Sequence, residues 1–188
     1  MMNPTLRAER PRTTAIWAYG ITILALVFTA AIIAVVVNLR PHGTTPLPTA
    51  DSILVIKHTH MLTLLHDGQP IKQYRVALGR GGLGPKNRAG DNRVPEGIYR
   101  IVSRNPRSAF YRALRVGYPT PQQTAAAHAR GVDPGGDIMI HGIRNGLGWL
   151  GPAHRVLDWT KGCIAVTDPE MDEIWNAVPD GTPIEIRP

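Results

Sequence analysis

The most prominent feature of the hydropathy pattern is a long uncharged run near the start of the chain. Residues 13–39, 27 in all, contain no Asp, Glu, Lys or Arg, and no polar face interrupts them. A helix of about 20 apolar residues crosses the hydrocarbon core of a bilayer, so this run predicts a transmembrane helix. The alternative is a cleaved signal peptide, but the apolar core of a signal peptide has only about 7–15 residues.

Basic residues flank this run unequally. Three arginines and one glutamate lie within residues 1–12, whereas only Arg40 follows closely. By the positive-inside rule, residues 1–12 stay in the cytoplasm, and 13–39 form a single-pass anchor in the inner, cytoplasmic membrane. Residues 40–51 are rich in proline and predict an extended linker. We therefore expect a folded domain over residues 52–188, on the periplasmic or extracytoplasmic side.

Short apolar stretches separated by turn residues predict a β-rich domain beyond the linker. The predicted strands are 52–57, 61–66, 71–78, 98–102, 137–141, 163–166 and 182–186. Two short helices are predicted, over 124–130 and over 168–177, the second opened by a capping box of Thr167 and Glu170. A mainly β domain with two short helices is typical of a β-sandwich or barrel-like architecture.

Composition and charge narrow the functional classes. The chain has 21 basic and 14 acidic residues and a formal net charge of +7, which suits nucleic acid, anionic lipid or an acidic polymer. An extracytoplasmic domain rarely meets nucleic acid, so we expect no nucleic-acid partner. The arginine-rich residues 100–115 are interpreted as a solvated face or as a contact with an acidic wall polymer. The single cysteine excludes an internal disulfide framework and a four-cysteine zinc site.

Two patterns resemble ligand sites but have simpler explanations. Residues 79–84 match G-x-G-x-x-G, yet Pro85 and the turn-forming residues after it leave no place for the helix that holds a pyrophosphate. His58, His60 and His66 are spaced by even numbers and could share one face to bind a metal. Polar residues on the wet face of a hairpin are the favoured interpretation. We therefore predict neither a dinucleotide site nor a metal site.

Catalytic chemistry is indicated by residues 138–166. His141 ends one predicted strand and Cys163 begins another. A lone cysteine is either an inert buried thiol or a nucleophile, and a nucleophilic thiol, with a pKa near 8.5 when free, needs an adjacent base such as a histidine. Gly142 and Gly162 adjoin the pair and would let a substrate or an oxyanion approach the backbone closely. From spacing alone, a core cysteine is the favoured interpretation and a Cys–His pair is the alternative.

These residues resemble a known family. The sequence Ile140-His141-Gly142, followed after a gap by Thr160-Lys161-Gly162-Cys163-Ile164, is similar to the H-G and [S/T]-x-G-C signature of the YkuD-type L,D-transpeptidases, which are peptidoglycan enzymes of the bacterial envelope. Further similar fragments occur in the same order at residues 84–86, 95–99, 116–119, 131–137 and 179–184. The resemblance covers nearly all of residues 52–188 and implies a YkuD-like fold.

The resemblance also implies residue roles. Cys163 would be the nucleophile and His141 the general base, with Gly142, Thr160 and Gly162 supporting the oxyanion site and its loop. Lys161 stands where the family most often has His, and Ala165 stands where Arg or Asn is frequent. Lys161 and Arg144 are expected to contact the substrate.

The implied reaction is acyl transfer without a metal or cofactor. Cys163 would form a thioester with a peptidoglycan stem tetrapeptide, release D-Ala, and pass the acyl group to an amine of another stem. An envelope lipoprotein is an alternative acceptor. Two other functions are weighed against this one: a hydrolase using the same site, either an L,D-carboxypeptidase or a peptidoglycan amidase, and a non-catalytic wall-binding module with a structural cysteine.

Overall fold

The computed structural model describes residues 47–188. The predicted cytoplasmic segment 1–12, the predicted transmembrane segment 13–39 and most of the predicted linker lie outside the described residues. Between Leu47 and Pro188, no helix has the length and apolar character needed to cross a membrane. Ala50 is fully buried, and its N–H donates to Ala177 O at 2.7 Å. Packing of the domain therefore begins slightly before the predicted boundary at residue 52.

Eight strands form one mixed sheet, which confirms the prediction of a mainly β domain. The strands are β1 Ser52–Ile56, β2 Met61–His66, β3 Gln69–Arg75, β4 Gly97–Ser108, β5 Tyr111–Val116, β6 Met139–His141, β7 Ile164–Ala165 and β8 Pro183–Arg187. Their order across the sheet is β3-β2-β1-β8-β4-β5-β6-β7. β8 pairs in parallel with β1 and antiparallel with β4.

The two outer edges of this sheet are joined. Just beyond β3, Ala77 exchanges two backbone hydrogen bonds with Ala165 of β7, each 2.9 Å long. Gly79 forms a further bridge with Thr160. The segment that leaves β3 is thereby fixed directly beside β7, the strand that follows Cys163.

Within residues 47–188 there are two α-helices, and each begins with a capping box. α1 spans Pro121–Ala129 and is capped by Thr120 and Gln123, so it starts earlier than predicted. α2 spans Asp168–Ala177 and is capped by Thr167 and Glu170, as the sequence predicted. The buried face of α2 packs on the sheet and completes an apolar core that includes Ile53, Val55, Leu62, Leu64, Ile101, Leu114, Ile140, Ile164, Met171, Ile174 and Ile186.

The largest difference from the predicted elements is the β4–β5 hairpin. The predicted strand 98–102 is too short, since β4 continues to Ser108, and β5 was not predicted. The second half of β4 is polar and mostly exposed and includes Pro106, so it lacks the alternation that marks a strand. Pairing with β5 nevertheless keeps it extended, with irregular register near Asn105.

Part of the arginine-rich stretch is engaged within the domain itself. Arg104 and Arg112 lie over the Trp175 ring at 4.9 and 5.4 Å. Each also forms an ion pair of 3.0 Å, with Asp180 and Asp172 respectively. These two arginines therefore stabilise the packing of α2 on the hairpin.

The loop between β3 and β4, which includes residues 79–84, contains no helix. Asp91 organises the loop by accepting hydrogen bonds from Lys86 Nζ and from the N–H groups of Asn87, Arg88 and Arg93. Burial alone would raise the pKa of Asp91, but these donors outweigh it and lower the pKa to about 2.

The three histidines that could have formed a metal site have separate partners. His58 Nδ1 lies 2.8 Å from Pro188 O, and His66 Nδ1 lies 2.8 Å from Thr49 O. His60 Nε2 lies 3.0 Å from Asp158 Oδ2. The three side chains therefore do not converge on a common point.

Candidate active site

Two short parallel strands position the candidate nucleophile and base. β6 ends at His141, and β7 begins directly after Cys163. The register aligns Ile140 with Ile164, both fully buried, and His141 with Ala165. Val166 N–H donates to His141 O at 3.0 Å. Buried backbone on both strands thus fixes where the two functional side chains leave the sheet.

Both side chains line one cavity of about 710 Å³. His141, Arg144, Thr160, Lys161 and Cys163 all contribute to its wall, so five of the residues singled out in the sequence meet at one place. A cavity of this size suits a ligand of small-molecule or short-peptide dimensions. The rest of the wall is mostly apolar and includes Phe110, Met139, Ile143, Leu147, Leu150 and Trp159.

The backbone carbonyl of Gly142 determines which ring nitrogen of His141 carries the proton. Its Nδ1 lies 2.7 Å from Gly142 O, and because a carbonyl oxygen only accepts hydrogen bonds, Nδ1 carries the proton. Nε2 of the neutral ring is therefore the free base. The side chain is buried, and burial lowers the pKa of His141 below its usual range even though the bond to Gly142 O opposes this.

The Cys163 thiol is also held in its neutral form. Its Sγ donates to Asp137 O at 3.5 Å. Within residues 47–188, no hydrogen bond joins Cys163 Sγ directly to His141. Burial raises the pKa of Cys163, although the Met139 N–H beside the sulfur favours the thiolate. The resting pair is therefore a thiol and a neutral imidazole, rather than an ion pair.

Thr160 holds the turn that presents Cys163. Its Oγ1 donates to Cys163 O at 2.7 Å and accepts from Gly162 N–H at 3.2 Å. Its N–H donates to Leu78 O at 3.1 Å, which ties the turn to the neighbouring segment. The hydroxyl thus bonds to the backbone of both Gly162 and Cys163, while the role of Thr160 in the reaction stays a prediction.

Close packing requires both glycines of the motif. Gly162 has a φ of +115°, and a Cβ there would lie 2.8 Å from Arg93 O. At Gly142 a Cβ would lie 2.6 Å from Asp168 Oδ1. The N–H of Gly142 donates to Arg112 O at 3.3 Å. Gly142 therefore supports the site by packing, and its N–H is directed at the neighbouring strand and not at an oxyanion.

Lys161 and Arg144 lie on the cavity wall, and both are exposed. Among the described residues, neither forms an ion pair. Both charges are thus available to an anionic ligand, while their predicted role in substrate binding stays a prediction.

Sequence reasoning missed three ring-bearing residues of the cavity wall. The Phe110 ring centre lies 4.7 Å from that of His141, and the Trp159 ring centre lies 5.7 Å away. His154, also buried in the cavity wall, contacts Trp159. Trp159 lies beside the recognised motif, but Phe110 and His154 come from a hairpin turn and an irregular segment that no sequence pattern connects with the site.

Comparison with known proteins assigns the family. The family model described as YkuD, L,D-transpeptidase catalytic domain, matches residues 50–186, and the chain belongs to this family. A curated Escherichia coli protein named "Putative L,D-transpeptidase YafK" is 35% identical over 113 residues, which is 58% of this chain and 38% of that protein. The chain thus aligns with well under half of that relative's length.

Solved structures support the fold. The helical cell shape determining protein Pgp2 from Campylobacter jejuni superposes with a TM-score of 0.55 at 20% identity, covering 78% of this chain and 51% of that one. Bd1075 from Bdellovibrio bacteriovorus superposes with a TM-score of 0.51 at 24% identity, covering 77% and 49%. At these identities the likeness concerns the fold alone.

Proposed function

We propose that the protein is a peptidoglycan L,D-transpeptidase in which Cys163 is the nucleophile and His141 the general base. One observation carries the proposal: His141 and Cys163 leave adjacent strands into the same cavity, with His141 Nε2 as the free base because Nδ1 is bonded to Gly142 O. Membership of the YkuD family supports the reaction class.

In the first step, the Cys163 thiol turns from Asp137 O and gives its proton to His141 Nε2. The sulfur attacks the carbonyl carbon between an L-configured centre and the terminal D-Ala of a stem tetrapeptide, and an oxyanion forms. When this intermediate collapses, the C–N bond breaks and the imidazolium proton passes to the departing D-Ala amine. A thioester and a neutral His141 remain.

In the second step, an amine of another stem attacks the thioester carbonyl. His141 takes a proton from the attacking nitrogen and returns it to the leaving sulfur, which restores the thiol and leaves a new amide cross-link. A lipoprotein lysine in place of the stem amine would give a protein anchored to the wall. Water in that place would make the protein an L,D-carboxypeptidase or an amidase with the same residues.

The electrostatics of the site suit this sequence of steps. Since burial raises the pKa of Cys163 and lowers that of His141, the resting pair is neutral, and charge develops only during attack. The Cys163 N–H is the proposed oxyanion donor. Gly162 N–H is bonded to Thr160 Oγ1, so it would have to leave that acceptor in order to take part.

Substrate binding would rely on the two cationic side chains of the cavity wall, Lys161 and Arg144. Peptidoglycan stems carry carboxylates, and Lys161 and Arg144 could bind them, Lys161 as a point charge and Arg144 as a planar fork. A substrate in the cell wall also favours an extracytoplasmic domain. We propose that residues 13–39 anchor it to the inner membrane in a single pass.

Product analysis tests the proposal. The full-length protein is incubated with purified tetrapeptide muropeptides, and the products are resolved by mass spectrometry, with the Cys163→Ala variant as control. Cross-linked dimers with release of D-Ala support a transpeptidase. Tripeptide and D-Ala without dimers would make the protein a hydrolase. Unchanged muropeptides that still bind the protein would favour a wall-binding module and contradict the proposal.

A further inference from the structure

The cavity contains a second buried histidine, which the reaction scheme above does not use. His154 belongs to an irregular segment, Gly148–Val156, formed by short 3-10 turns on either side of Gly151. Only 7% of its surface is exposed, and it lines the cavity together with His141 and Cys163. Two buried histidines thus share one site.

The proton of His154 is placed by Trp159. The indole Nε1 of Trp159 lies 3.3 Å from His154 Nδ1, and an indole nitrogen can only donate. Nδ1 is therefore the acceptor, and the neutral ring carries its proton on Nε2. Within residues 47–188 this buried Nε2 has no hydrogen-bond partner.

An unpartnered buried donor is unfavourable for stability, so packing alone would favour an apolar side chain at this position. Residues that lower stability in this way are expected at functional sites. What His154 offers that an apolar residue lacks is the acceptor Nδ1, and the atom bound to it belongs to Trp159.

Trp159 in turn contacts the proposed base. Its ring meets the His141 imidazole edge-on, with centres 5.7 Å apart and planes at 64°. Phe110 packs against both rings, with its centre 4.7 Å from His141 and 5.9 Å from Trp159. Two aromatic rings thus confine the imidazole. The Phe110 ring has no polar atom, whereas the Trp159 ring is held by its hydrogen bond to His154.

We infer that His154 is a positioning residue for the base: by accepting the Trp159 N–H it fixes the indole, and the indole holds the His141 ring in the orientation that presents Nε2 to Cys163. This inference rests on the proposed function only in taking Cys163 and His141 as the reacting pair. His154 itself does not touch the reacting atoms.

The surroundings of His154 keep it in the accepting form. The charged and titratable groups that act on it are Arg155 beside it, Glu170 of α2 and His141 of β6. Burial, and next the Arg155 charge, lower the pKa of His154 to about 4, against the opposing effect of Glu170. The ring is therefore neutral at neutral pH, where Nδ1 is free to accept.

A matched pair of variants separates positioning from packing. In His154→Asn the amide oxygen can replace Nδ1 as acceptor for the indole N–H. His154→Leu has a similar size and no acceptor. We expect the Leu variant to lower kcat about 10-fold with KM changed less than about 2-fold, and the Asn variant to retain kcat within about 3-fold of the wild type.

A second readout reports on Cys163 and His141 directly and needs no peptidoglycan. The rate of Cys163 alkylation by iodoacetamide is measured against pH for the full-length wild type, both His154 variants and Trp159→Phe. We expect His154→Leu and Trp159→Phe to shift the profile alike, and the double variant to add little to either. Melting temperatures of all variants provide the control for general destabilisation.

Equal rates for His154→Asn and His154→Leu would overturn the inference, as would additive losses in the double variant or losses that follow the melting temperatures. The two readouts also separate the inference from the proposed function. If the wild type leaves muropeptides unchanged but His154→Leu still shifts the alkylation profile, the reaction assignment fails and the positioning role stands.

Discussion

His141 Nδ1 and Gly142 O lie 2.7 Å apart, so the imidazole is bonded to the backbone of its own neighbour. In many histidine bases a carboxylate occupies this place and stabilises the imidazolium. A peptide carbonyl orients the ring and selects its tautomer but contributes no full charge. Burial lowers the pKa of His141, and the bond to Gly142 O does not overcome this, so the base is weak at rest.

Replacing the nucleophile should abolish turnover and leave the fold intact. Cys163 is only half-buried and forms one weak side-chain hydrogen bond, so Cys163→Ala removes little packing. At sites that act as a unit, loss of the nucleophile can remove most of a ~10⁶-fold effect. Muropeptide turnover tests the loss of activity, and circular dichroism tests whether the fold is intact. Turnover at the wild-type rate would refute the role of Cys163.

Replacing the base should lower kcat by ~10²–10⁴-fold, the usual contribution of general-base catalysis. In His141→Gln the thiol remains but has no acceptor for its proton. Because burial raises the pKa of Cys163, alkylation of both proteins should increase mainly above the ordinary thiol range, and the wild type should react faster near pH 7. Superimposable profiles of rate against pH would mean that His141 does not act on Cys163.

The Thr160 hydroxyl should matter more than its methyl group. Thr160→Val keeps the shape but removes the bonds to Cys163 O and Gly162 N–H, leaving a buried N–H unpaired at a cost of roughly 1–3 kcal/mol. Thr160→Ser retains the hydroxyl and serves as the control. We expect the Val variant to unfold at lower denaturant concentration and to lose at least ~10-fold in kcat. The Ser variant should show neither change. A Ser variant as impaired as the Val variant would refute this role of the hydroxyl.

Lys161 tests whether the exposed cation binds substrate. Replacing a surface lysine that has no role should leave kcat/KM almost unchanged, since exposed ion pairs contribute ~0–1 kcal/mol. A contact with a stem carboxylate would make Lys161→Met lower kcat/KM by ~10-fold, or ~1.4 kcal/mol. Lys161→His, the residue common in the family, should retain more activity. Equal rates and equal ratios of cross-link to hydrolysis for all three proteins would show that the acceptor is selected elsewhere.

Acid should destabilise the domain through its buried histidines. His154 has a pKa of about 4 in the folded state and an ordinary value of 6.5. Because the folded pKa is lowered, its contribution is fully present above about pH 6.5 and is lost as the pH falls towards 4. The shift corresponds to at most roughly 3.5 kcal/mol, at about 1.4 kcal/mol per pKa unit. Melting curves at pH 7 and 4.5 should show a smaller loss for His154→Asn than for the wild type.

Local signals in the sequence predicted the elements whose stability is local. The Thr167–Glu170 capping box specified the start of α2, and short apolar runs specified β1 and β2, with bounds close to those observed. The far half of β4 and all of β5 were missed because their pairing partner, and not their own pattern, keeps them extended.

The same distinction holds for the candidate site. Cys163 and His141 were recognised since each lies in a short motif. His154 has no such motif: its position beside Trp159 and His141 depends on how an irregular segment crosses the cavity, and only the tertiary structure provides that information.

The position of β8 bears on when the site can form during biosynthesis. β8 is the last strand along the described chain, yet it lies between β1 and β4 and joins β1–β3 to the strands that carry His141 and Cys163. A ribosome or a secretion channel delivers residues in order, so the sheet cannot close until Pro183–Arg187 has emerged. The complete sheet that carries the thiol and its base therefore forms only after almost all of this sequence has been delivered.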